Sequence, residues 1–388
     1  MRSVTVLSLF SAIFLLFSCS DKPIAQAPAK EKEGAVTHAA AGHPIVNPLP
    51  DMPPVLDPAD IYSEDHAGKI NPIAAKALPR IYVPNTISNT VDVIDPATYK
   101  VVEHFKVGHQ PQHVTPSYDL SKLWVLNDKG NSLTRIDPLT AKKKETIPVD
   151  DPYNMYYTPD GKYAIVVAEQ RMHLNFLDAS TMKLKKTLPV NCKGVDHMDF
   201  SSDGRYLIAS CEFAGALIKV DVANQKVLAR LPLERGGMPQ DVKLSPDGRV
   251  FYVADMHADG VHLIDGDEPK EIGFMPTGKG AHGLYVSRDS KVLYVSNRGE
   301  GSITVIDLAS RKIIHKWQLP GGGSPDMGGV SADGKVLWLS GRYNSEVYAI
   351  DTTDGKLLAR IPVGHGPHGL CVFPQPGRYS LGHTGVFR

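Results

Sequence analysis

The chain has 388 residues with 42 basic and 42 acidic side chains, so its formal net charge is zero. That balance gives no reason to expect nucleic acid or another polyanion as a partner. The sequence has no Cys-x-x-Cys-His and no phosphate-binding glycine motif, which argues against covalent c-type haem and a nucleotide fold.

In chain order, Arg2 is followed by an apolar or small stretch from Val4 to Phe17 and then by Ser18-Cys19. The stretch is too short to span a bilayer and has the form of a signal peptide over residues 1–19. Leu16-Phe17-Ser18-Cys19 resembles a bacterial lipobox, which implies a lipidated Cys19 and an extracytoplasmic, membrane-anchored protein. Ser20, rather than Asp, after the cysteine fits the periplasmic side of the outer membrane if the cell is Gram-negative. Residues 20–79 carry Pro23, Pro28, Pro44, Pro48, Pro50, Pro53, Pro54 and Pro58 and read as a flexible, solvated tether. His38, His43 and His66 are too scattered along it to form a site.

From residue 80 one pattern recurs. An apolar residue followed by Asp ends a strand at Asp95, Asp137, Asp178, Asp221, Asp265, Asp307 and Asp351, at intervals of 42, 41, 43, 44, 42 and 44 residues. A turn marker runs in step with it at Asp160-Gly161, Asp203-Gly204, Asp247-Gly248, Asp289-Ser290 and Asp333-Gly334, with Asp119-Leu120 as a degenerate copy. Within residues 282–321 four strand-like runs alternate with turns, and no run has a helical period. Repeats of this length holding four short strands predict an all-β fold, a single seven-bladed β-propeller over residues 80–374. The first unit, 80–107, lacks an innermost strand, and residues 368–373 supply one at the far end. Pairing the two closes the ring and leaves no open blade edge. Residues 375–388 remain as a tail.

Residues 81–85 (Ile-Tyr-Val-Pro-Asn), residues 293–297 (Leu-Tyr-Val-Ser-Asn) and the Val-Ile-Asp strand ends resemble the bacterial YVTN family of seven-bladed propellers. The resemblance covers residues 80 to about 374 and implies architecture more than activity. Ala168, Cys211, Asp255 and Gly341 depart from the family's Asn position.

Cys192 and Cys211 fall nearly opposite each other on adjacent strands. A disulfide, two buried thiols and thiols near a metal are all compatible with that placement. Cys371, within an apolar strand, reads as core.

Aligned on the following turn, the innermost strands begin Gln112-His113, Tyr153-Asn154, Asp196-His197, Gln240-Asp241, His282-Gly283, Asp326-Met327 and His368-Gly369. In a propeller these positions share one rim of the central channel. His113, His197, His282 and His368, from alternate units, are the metal-ligand candidates, with Asp196 and Asp326 beside them. His109, His257 and His365 lie in loops of the same face, and Arg298 and Arg342 occupy equivalent places where they can clamp a carboxylate. Imidazole, carboxylate and thioether suit a transition metal. Rim histidines also resemble, by position only, the haem d1 propellers and the copper propeller of nitrous oxide reductase, so a haem-type ligand is a second cofactor expectation. The competing readings are polar caps that bond neighbouring blades, and acid–base catalysis.

Three function classes follow: an anchored module binding a metal, tetrapyrrole or small anion; a protein-interaction platform on the disc face; and a lactonase-like hydrolase. The enzyme ranks last, because no nucleophile with an oriented base is visible. The anchor is directly testable. Cys19→Ala is expected to abolish acylation and membrane partitioning, read by mass spectrometry and fractionation. A soluble, unmodified wild-type chain beginning elsewhere would contradict the lipobox reading.

Overall fold

The computed structural model describes residues 42–383 and 386–388. The signal peptide and Cys19 lie outside the described residues, as does the tether before residue 42. Seven sheets of four antiparallel strands are present, each running from an inner to an outer strand. Blade 1 combines Arg80–Asn85, Thr90–Asp95 and Lys100–Lys106 with Cys371–Phe373 from the other end of the repeats. Arg80 pairs with Phe373, Ile81 with Val372 and Tyr82 with Cys371, which places the closing strand where the missing one was expected. The inner strands of blades 2 to 7 are Pro111–Pro116, Asn154–Tyr157, Val195–Phe200, Pro239–Leu244, Ala281–Val286 and Pro325–Val330.

The repeat markers have local causes. Each strand-ending Asp accepts hydrogen bonds from the turn that follows it, as Asp95 does from Ala97 N and Asp137 from Leu139 N, both at 2.9 Å. The second marker sits on a left-handed backbone: φ is +69° at Gly204 and +72° at Gly248, and Ser290 and Leu120 adopt the same region at +57° and +62°. Glycine does this without steric cost, which is why it predominates there.

The family's Asn is a staple. Asn127 Nδ2 donates to Ser132 and Thr134 of the next strand, and Asn297 Nδ2 donates to Ser302 and Thr304. Asn127 Oδ1 accepts from Gly108 N in the loop that enters the blade. Three of the four departures replace this link by other chemistry. In blade 5 Asp255 accepts from Met238 N at 2.9 Å and lies 3.3 Å from His262 Nε2. In blade 7 Ser324 N donates to the hydroxyl of Tyr348, and a Cβ at Gly341 would lie 2.6 Å from that oxygen. In blade 4 the link is covalent: Cys192, in the entering loop, is disulfide-bonded to Cys211. Cys371 is a buried free thiol in the core between blades 1 and 2.

Two segments differ from expectation. Residues 42–79 do not run free but pack as a strap across the face that carries the inner-strand turns. His43 N bonds Asp247 O, Leu49 N bonds Asp203 O, Ile61 N bonds Pro246 O and Leu78 N bonds Pro138 O. Leu49, Ile61, Tyr62, Ala74 and Ala77 are buried. Frequent proline keeps the strap extended, and the blade turns satisfy its backbone groups. The tail also packs. Leu381 O accepts from Tyr157 N and His383 N donates to Met155 O, so residues 380–383 enter the channel from this lower face. Tyr379, Leu381, Val386 and Phe387 are buried, and Arg388 bonds Asp199 and stacks over Tyr62.

The disulfide spans a separation of 19 residues. Replacing both Cys192 and Cys211 by Ser is expected to cost about 3 kcal/mol, the chain-entropy value for a loop near this size. Denaturant unfolding of the variant against the oxidised wild type measures it.

Candidate functional site

A regular strand turns successive side chains to opposite faces, so one strand start should offer the channel a single residue. Here the ladder slips at the inner-strand starts: between Pro111 and His113, Val195 and Met198, Pro239 and Val242, Ala281 and Leu284, and Pro325 and Gly328. Such bulges re-aim side chains. Two consecutive residues of one strand, such as Asp196 and His197, are thereby fully buried in the channel.

The four rim histidines form a closed ring. Centroid separations are 5.4 Å from His113 to His197, 6.4 Å from His197 to His282, 5.8 Å from His282 to His368 and 4.8 Å from His368 to His113. They do not alternate strictly, because His368 belongs to the strand that completes blade 1, next to the blade of His113. A fifth imidazole, His383 of the tail, lies 4.7 Å from His197 and 5.1 Å from His113. One ligand atom from each of His113, His197 and His383 lies within 4.8 Å of the other two. The repeat pattern could not reveal His383, because the tail has no phase with the blades. The only advance signal was a histidine close behind the closing strand.

Glycines make room for this cluster. A Cβ at Gly369 would lie 1.9 Å from His113 Nδ1, and one at Gly283 would lie 2.5 Å from the Tyr285 hydroxyl. At Gly369 the absence of a side chain makes room for His113 of the neighbouring blade, and at Gly283 it makes room for Tyr285 of the same strand.

Asp326 organises one wall. Its carboxylate lies 2.6 Å from His368 Nδ1, 3.2 Å from His282 Nδ1 and 3.0 Å from Arg298 Nη1. A proton held on Nδ1 leaves the Nε2 lone pair for a ligand. Burial would raise Asp326, but His282, Arg298 and Arg342 more than offset it and hold the carboxyl below its usual range. Burial holds His113, His282, His368 and His383 well below the ordinary imidazole range, hence neutral. His197 differs. Burial pulls it down, yet Asp196, 2.8 Å from its Nδ1, leaves it above the ordinary value. On the wall beside Asp196, burial and that carboxylate push Glu169 up to about 8 and Glu212 to about 7.

Several buried polar atoms are orphaned. Neither nitrogen of His113 or His197 meets a hydrogen-bonding partner of good geometry, nor do His383 Nε2 or either oxygen of Asp196. Arg342 Nη1 is likewise buried without a partner. His109, His257 and His365 do not join the cluster: all three are exposed on rim loops, and His365 Nδ1 bonds Ser345. Tyr153, not among the candidates, lies 5.5 Å from His113, with its hydroxyl 3.5 Å from His368 Nε2.

Residues 58–378 match the YNCE-like beta-propeller family. The chain belongs to that family. No curated protein sequence matches this YNCE-like propeller. Among solved structures it is similar to "Kuenenia stuttgartiensis Hydrazine Synthase", at 18% identity and TM-score 0.62, over 72% of this chain and 94% of that one. "Dihydro-heme d1 dehydrogenase NirN in complex with DHE" is similar at 18% identity and TM-score 0.59, over 76% and 75%. A putative 6-phosphogluconolactonase from Bacteroides uniformis is similar at 17% and 0.59, over 76% and 99%. At these identities the likeness is one of fold.

The glycine argument is testable. Gly369→Ala should overpack the channel and destabilise the protein by about 1–3 kcal/mol. The same change at exposed Gly68, where a Cβ meets nothing within 4 Å but φ is +88°, reports backbone strain without crowding, a cost that Gly369 does not share. Denaturant midpoints of the two variants separate the effects.

Proposed function

We propose that this protein is an extracytoplasmic module, anchored through Cys19, that binds a transition-metal ion in the histidine cluster of its channel. The observation that carries the reading is the convergence of His113, His197 and His383, one ligand nitrogen from each lying within 4.8 Å of the other two, together with buried nitrogens on all three that make no hydrogen bond of good geometry. Leaving a buried polar atom unpaired costs on the order of 1–3 kcal/mol. Capping of neighbouring blades does not account for His113, neither of whose nitrogens makes a hydrogen bond, while His197 Nδ1 meets only its own neighbour Asp196 and His383 Nδ1 meets Asn154. Neutral imidazoles are the form that coordinates a metal. His282 and His368 flank the three, and Asp326 orients His368 through its Nδ1, while His282 Nδ1 meets Met327 Sδ.

A tetrapyrrole fits less well. Neighbouring rings stand 4.7–6.4 Å apart, which leaves the space of an ion and not of a macrocycle between them.

Purified protein is expected to carry one transition-metal ion per chain by elemental analysis. His113→Ala combined with His197→Ala should abolish uptake while leaving the circular dichroism unchanged. Asp326→Asn should weaken binding by about 10–100-fold, the usual cost of an outer-shell partner. Protons compete with the metal, so occupancy falls with falling pH. The loss should begin at His197, whose pKa is raised, and reach His113 and His383 only at lower pH. Metal-free protein in a transition-metal buffer, or occupancy indifferent to the double change, would overturn the proposal.

A further inference from the structure

We infer that the upper mouth holds a planar oxyanion of the carboxylate class, gripped by Arg342 and completing the coordination of the channel ion. This rests on the metal reading above.

Arg298 and Arg342 begin equivalent turns in blades 6 and 7, on the face where the inner strands start. Between them they have one fixed carboxylate, Asp326. That carboxylate is committed: one oxygen meets His282 and Arg298, and the other meets His368. It makes no ion pair with Arg342. Arg342 Nη1 therefore stays buried and unpaired, although the residue is only partly covered. A guanidinium cannot shed its charge to relieve this, because it remains protonated at any ordinary pH. Its remaining route to satisfaction is an acceptor from outside.

The imidazoles strengthen the case. Neutral ligands bring no negative charge to a divalent ion, so binding adds two positive charges next to two arginines in a buried channel. Charges in such a medium interact more strongly than in water. An anion seated between the ion and Arg342 offsets both. The paired N–H groups of arginine match two oxygens of one planar group, which selects carboxylate geometry over a spherical ion. Asp196 faces Glu169 and Glu212, and Glu212 also faces Arg298, so the anion's place is beside Arg342. Access is from above only, since the strap and the tail fill the lower face.

Bicarbonate and small organic acids share this chemistry, and titration separates them. The full chain is loaded with Co²⁺ in an anion-poor buffer, uptake is measured first, and the visible absorption of the bound ion is followed on adding bicarbonate or acetate. A saturable spectral change is expected. Arg342→Ala should raise the apparent Kd of the anion by about tenfold or more, the scale of a lost charge-assisted pair. Its Co²⁺ uptake in the anion-poor buffer should be no weaker than wild type, because Arg342 is outside the ion's own ligands and loss of its charge removes a repulsion. Arg342→Gln, which keeps a polar side chain but removes the charge, is the second variant should the alanine change disturb the turn. A response to bicarbonate alone supports the inorganic anion, and a response to both supports carboxylates in general. No response to either, or a response indifferent to both variants, overturns the inference and leaves the metal site standing. Absence of Co²⁺ uptake overturns both.

Discussion

Everything at the channel depends on three residue pairs. Arg80, Ile81 and Tyr82 accept the strand Cys371–Phe373, and the ring is closed by that ladder. Only in a closed ring do seven inner strands converge on one axis, so His368 meets His113 because the ends of the repeat region meet. The packing of blade on blade follows, with Val83, Ile94 and Val372 of blade 1 sharing a core with Trp338 and Val347 of blade 7. A polar cluster of this density is tolerable only inside so rigid a frame, since an interior packed like a crystal resists the rearrangement that would let unpaired imidazoles find other partners.

The bulges supply the second condition. A flat inner strand would offer seven residues to the channel, one per blade. The slipped starts offer the first and second positions alike, and so stack Asp326 above Met327 and Asp196 above His197. The glycines at 283 and 369 then read as spacers for large neighbours. The family's own Asn, by contrast, has no part in the site. It holds a hairpin to the loop that enters its blade, and a tyrosine hydroxyl, an aspartate–histidine pair or a disulfide can take over that duty.

The blades and the four-histidine ring were legible in the sequence because both are periodic. A marker that recurs every 41 to 44 residues fixes which positions share a rim, and His113, His197, His282 and His368 follow from that phase. What lay outside the repeats was not legible. Proline and low hydrophobicity made residues 42–79 resemble a solvated linker, although a few well-placed apolar groups such as Leu49, Ile61 and Tyr62 suffice to dock an extended chain on turns that need backbone partners. The tail carried no period either, and with it the fifth imidazole was missed. His109, His257 and His365 show the opposite error. They sit on the right face, but His109 and His365 lie a few residues short of an inner-strand start and His257 lies just past the end of a second strand, which is enough to turn a side chain from the axis to the solvent.

The plugged lower face also shapes time. A propeller channel open at both ends lets a bound species leave ahead of whatever follows it. This one is blind, because residues 380–383 occupy its floor. Whatever enters last must leave first. An occupant at the level of His113 and His383 would therefore be retained behind anything seated above it, on the side where Tyr153, Arg298 and Arg342 stand beside the ring. Residence time in such a well is set by the mouth as much as by the affinity of the floor, so retention and binding strength become separately adjustable properties of one site.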